Sequence, residues 1–209
     1  MFVFIFHNTY ILAAVLRLEM RLRESIVKLI MISNQEHQDG GGAEGFRNRG
    51  DLCMVYALEW ALRAVLKDDS FQIPDEFWQA RADHVDKMRE TNQPFDPNAE
   101  GQYLLSLFKD LQAKDERLKD LELRVIIISD IIELLNLVNK GANVIVMSAG
   151  EGVPHMYHLG KYDADSGMFI SGQQTTFYND LAAELIQKGE LRIAVIKPKG
   201  ESLGLIFEN

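Results

Sequence analysis

The sequence predicts an α+β fold, and three observations predict it. Helical spacing of apolar residues dominates the chain up to about residue 114, and from Leu123 the apolar residues gather into short strand-like runs. Between two of those runs, DADSG (163–167) supplies the turn residues of a hairpin. Helices first and a mostly antiparallel sheet afterwards make an α+β arrangement. At 209 residues and 47% hydrophobic, the chain suffices for one well-buried domain with some chain to spare.

Residues 1–33 form an apolar and amphipathic segment. FVFIF (2–6) and ILAAVL (11–16) are interrupted by HNTY, and the run falls short of the about 20 residues that a membrane span needs. It has no basic leader and no small-x-small cleavage site, so an added first helix or a non-cleaved anchor is expected rather than a cleaved signal. Leu18, Leu22, Ile26, Leu29 and Ile30 follow at helical spacing, which suits a helix lying on the domain or on another surface, with only weak membrane association. Residues 34–44, NQEHQDGGGAE, have the composition of a flexible linker. The glycines at 40–42 are not a phosphate loop, because no Gly-Lys-Ser/Thr follows them.

The domain is expected over 45–199, with a tail at 200–209. Asp51 is the expected N-cap of a central apolar helix, CMVYALEWALRAVL (53–66). PDEFWQARADHVDKMRE (74–90), with Pro74 in its first turn, reads as a surface helix, and GQYLLSLFKDLQAK (101–114) as a third. Strands are expected at 123–129, 142–149, 155–163, 167–172 and 191–198, with helices at 130–140 and 178–188.

Charge and cysteine content narrow the function. A net charge of −9 with no concentrated Lys or Arg argues against a duplex nucleic-acid surface and for a protein or peptide partner. A single Cys excludes an internal disulfide and a Cys-based zinc site, and suits a reducing, intracellular setting in cytoplasm or nucleus. That cysteine, Cys53, stands behind a glycine turn at the mouth of the apolar helix, where unpaired backbone N–H groups favour a thiolate.

A thiol nucleophile needs a base, and His titrates in the right range. His7 and His37 fall in the N-terminal segment and linker, and His84 on the surface helix. His155 and His158 remain, both at a strand start after AGEGVP. His155 is preferred because it directly follows the loop, while His158 stays the alternative. Asn48, five residues before the nucleophile, is the candidate oxyanion donor beside the Cys53 N–H, although a turn-forming Asn explains it nearly as well. Hydrolysis of this kind requires no metal or cofactor.

GFRNRGDLCMVYALEWAL (45–62) resembles the cysteine box of the ubiquitin-specific proteases, with Gly45, Asn48, Gly50 and Cys53 in register, Phe46 in place of Leu and Asp51 in place of Asn. The resemblance implies a papain-like cysteine peptidase fold, with the nucleophile at the start of a central helix on a mostly antiparallel sheet. It also implies ubiquitin or a ubiquitin-like protein as partner and a histidine box at Pro154-His155-Met156. The family orients its histidine with an Asn or Asp roughly 16–18 residues later, where this chain has Ser171, Gly172 and Gln173. Gln173 is therefore the candidate third member, and Asp163 and Asp165 are ionised alternatives that the hairpin turn also explains. Ovarian-tumour deubiquitinases and bacteriocin-processing peptidases are similar in part, and a domain with a weakened triad is expected to bind rather than cut.

Overall fold

The computed structural model describes residues 49–93, 96–148, 155–171 and 175–202. The expectations for residues 1–33 and 34–44, for Asn48 and Gln173 and for most of the tail lie outside them. The described chain is α+β. It runs through a 3₁₀ turn (Gly50–Leu52) and helices α1 (Cys53–Leu66), α2 (Asp75–Glu90) and α3 (Pro97–Lys114). There follow β1 (Leu121–Ile128), α4 (Ile131–Asn139), β2 (Asn143–Ser148), β3 (His155–Leu159), β4 (Lys161–Asp163), β5 (Met168–Ile170), β6 (Thr175–Phe177), α5 (Tyr178–Lys188) and β7 (Leu191–Pro198).

The three opening helices form for separable reasons. α1 is apolar on most of its circumference, so Met54, Val55, Leu58, Ala61 and Leu62 are all buried. It stops at Lys67, which takes a left-handed φ of 54° while the Asp68 N–H closes back on the Arg63 carbonyl. The buried Glu59 carboxylate accepts from Arg63 (2.6 Å) and from the Ile73 N–H (2.8 Å), tying the connection to α2 against α1. α2 begins at Asp75 with Pro74 as its cap residue, one position later than the sequence suggested. α3 starts at Pro97, capped by Asp96, whose carboxylate accepts from the Asn98 N–H.

The sequence suggested one sheet; among the described residues there are two. β1, β7, β2 and β3 make an antiparallel four-stranded sheet in that order, and β4, β5 and β6 a smaller antiparallel one. The run expected to be continuous over 155–163 breaks at Gly160, where a Cβ would sit 1.8 Å from the Ile170 carbonyl oxygen. Only glycine allows the chain to pass that close to β5 and turn into the second sheet. β6 was not anticipated, since TTF is too short to show a period.

Alternation along the strands sorts the large sheet into two faces. Val144, Val146, Tyr157, Leu159, Ile193 and Val195 join Leu134 and Leu137 of α4, Phe169 of β5, and Leu181 and Leu185 of α5 in one buried cluster. The intervening Ile145, Met147, Met156, Ala194 and Ile196 are buried from the opposite side. Gly101 of α3 lies there against Val125 and the Met147 sulfur, and α1 packs on β2, β3 and β7. Both faces of the sheet are covered, which is why β7 reads as an almost unbroken apolar run.

Candidate active site

Cys53 is the first residue of α1 and is half-buried. Its expected cap is absent: Leu52 holds the cap position without a side-chain hydrogen bond. Asp51 instead sits in the 3₁₀ turn, where its carboxylate meets Arg49 and Arg89, each at 2.8 Å. Two cations outcompete the helix N–H groups for that carboxylate and hold it below the usual range.

A polar partner of the sulfur comes from 103 residues downstream. The Met156 N–H donates to Cys53 Sγ at 3.3 Å. β3 is an edge strand, and the N–H groups of an edge strand point alternately to its neighbour and to the open side. The Met156 N–H is the open-side kind, so Cys53 lies along the free edge of β3, level with its first residues.

The two histidines fall on opposite faces. His155 shares its face with Tyr157, the rings stacked at 5.5 Å and 28°. Its cross-strand partner is Ser148, whose hydroxyl donates to Glu184 of α5 at 2.7 Å, and Lys188 reaches the same carboxylate oxygen at 2.6 Å. His158 lies on the Met156 side, opposite Ile145, and is 5% exposed. Burial drives its pKa from the ordinary 6.5 down to about 4, which makes it a poor acceptor for a thiol proton near neutral pH.

Burial also raises the Cys53 thiol above its ordinary range, against the stabilisation of the thiolate by the Met156 N–H, by the Arg81 cation and by the Met54 N–H. The helix-terminus argument for a lowered thiol pKa thus loses to desolvation in the resting protein. Arg81 was not singled out from the sequence, yet it stands in the apolar stripe Phe77, Trp78, Arg81, Ala82 of α2. A charge in such a stripe signals a buried partner. The partner is Glu100 in the first turn of α3, bonded at 2.7 and 3.3 Å, with the guanidinium 5.1 Å over the Tyr103 ring. His84 is stacked on the same tyrosine, ring centroids 4.4 Å apart.

Of the expected third members, Asp163 is used by the hairpin: it accepts from Ser166 at 2.5 Å, and the Gly167 N–H meets its carbonyl, Gly167 having φ of 66°. Asp165 is exposed in the same turn. Among the described residues, no group of three or more His, Cys, Asp or Glu side chains is arranged to hold a metal, and no helix is long and apolar enough to cross a membrane. Comparison with family models, curated proteins and solved structures returned no match.

Proposed function

We propose that this protein is a thiol-dependent hydrolase of papain-like design that cleaves a peptide or isopeptide bond, with ubiquitin or a ubiquitin-like protein as the conjugate removed. The observation that carries the reading is the bond from the Met156 N–H to Cys53 Sγ. It joins the only cysteine to the residue following the preferred base, and the Met156 nitrogen is two bonds from His155 Cα. The reading requires that rotation about the His155 Cα–Cβ bond bring an imidazole nitrogen to the sulfur.

In this reading His155 takes the thiol proton, Cys53 attacks the carbonyl, and His155 returns the proton to the leaving amine. Asn48 and the Cys53 N–H are the proposed donors to the tetrahedral oxyanion. The ubiquitin assignment rests on the cysteine box at 45–62 alone. The burial that raises the Cys53 thiol favours a second reading, a module that holds a ubiquitin or peptide tail without cutting it.

The test is incubation with ubiquitin carrying a C-terminal electrophile. A covalent adduct at Cys53, lost in Cys53→Ser, is the expected result. Binding without an adduct supports the module, and the absence of both adduct and binding refutes the ubiquitin assignment.

A further inference from the structure

Resting on the reading of Cys53 and His155 as a thiol–imidazole pair, we infer that Glu184, acting through Ser148, is the carboxylate that positions His155 and stabilises it when charged. The third member is then on α5, and not in the 171–173 window or the hairpin turn.

Three independent features point there. In β2 and β3, Ser148 and His155 are direct register partners, and residues so opposed have Cβ atoms about 4.5–5.5 Å apart, within hydroxyl-to-imidazole range. Ser148 is 8% exposed and spends its proton on Glu184 Oε1 at 2.7 Å, so its oxygen has acceptor capacity left for an imidazole N–H. Tyr157, stacked on His155, has a hydroxyl pushed up by burial and by the nearby Glu184 and Asp180 charges, which sets both carboxylates on the His155 face of the sheet. Tyr157 on its own strand and Ser148 on β2 stand beside His155, Glu184 and Lys188 of α5 follow through Ser148, and Asp180 of α5 is the further carboxylate acting on Tyr157.

A carboxylate behind the imidazole favours the imidazolium and with it the thiolate–imidazolium pair. Lys188 shares Glu184 Oε1 and opposes that effect. The two residues should thus act with opposite sign, which a merely structural role for the Ser148–Glu184 bond would not produce.

The single cysteine permits a direct test: the pH profile of Cys53 alkylation by iodoacetamide in the full chain. For the parent protein a two-limbed profile is expected, its lower limb lost in His155→Ala. Glu184→Gln keeps an acceptor for Ser148 and removes the charge. It should lower the upper limb, where the imidazolium beside the thiolate loses its proton, by about half a pH unit or more, and should not raise the lower limb. Lys188→Gln should raise the upper limb. Profiles of the two variants that superpose on the parent's overturn the inference and leave the pairing of Cys53 with His155 standing. A single limb that His155→Ala does not alter overturns that pairing, and the inference with it. Should Glu184→Gln fail to fold, the sign of the Lys188→Gln shift decides.

Discussion

Removing the Arg81 charge tests both the core of the helical layer and the electrostatics of Cys53. Arg81 and Glu100 are 6% and 1% exposed and joined by two hydrogen bonds. Arg81→Met leaves the Glu100 carboxylate buried without its cation, and breaking a buried pair in this way costs about 3–5 kcal/mol. Loss of the cation from above Tyr103 places the cost toward the upper end of that range. Against a total stability of roughly 5–15 kcal/mol this is a large fraction. With a urea slope of about 2 kcal/mol per molar, the unfolding midpoint should fall by about 2 M. Arg81→Met/Glu100→Leu, which removes both charges, should recover at least half of the loss, because no uncompensated charge remains buried. The thiol supplies a second readout: at fixed pH, Cys53 alkylation should slow in Arg81→Met and quicken in Glu100→Gln, since Arg81 favours the thiolate and Glu100 opposes it. An Arg81→Met midpoint within about 0.5 M of the parent, or a double variant no better than the single one, refutes the reasoning.

Two further outcomes are expected. His158 is held neutral by burial, its pKa lowered from 6.5 to about 4, so its stabilising contribution is complete above pH 6.5 and is lost as the pH falls toward 4. At about 1.4 kcal/mol per unit this makes up to roughly 3 kcal/mol, and urea titrations across that window should show a steeper acid loss for the parent than for His158→Leu. Equal slopes would show that His158 charges as readily folded as unfolded. Gly160→Ala forces a Cβ onto the Ile170 carbonyl, a clash that only backbone movement relieves. It should cost roughly 2 kcal/mol or more, with hydrogen exchange rising first in β4 to β6; a thermal midpoint unchanged from the parent contradicts the close approach.

Legibility varied with the range of the interaction involved. Helices α1 and α5 and strand β7 begin and end where their periods and flanking residues suggested, because spacing of apolar residues along one element is a local property. The division into two sheets was hidden, since Gly160 matters only through the carbonyl of a residue ten positions later. Asp51 has the right residue type for a cap and fails as one because Arg49 and Arg89 take its carboxylate. The sequence also had no means of weighing the helix-end effect on Cys53 against the burial that overrides it.

By itself the sequence determined most of the element types and their apolar stripes. It could do so because propensity, turn chemistry and periodicity act over a few residues. Only the tertiary structure decided that Cys53 lies on the free edge of β3 against the Met156 N–H, and that His155 and His158 face opposite sides of the sheet. The Ser148–Glu184 and Arg81–Glu100 bonds were decided in the same way. These contacts depend on strand register and on which helix covers which face, and both are fixed by packing of the whole domain rather than by any local stretch of chain.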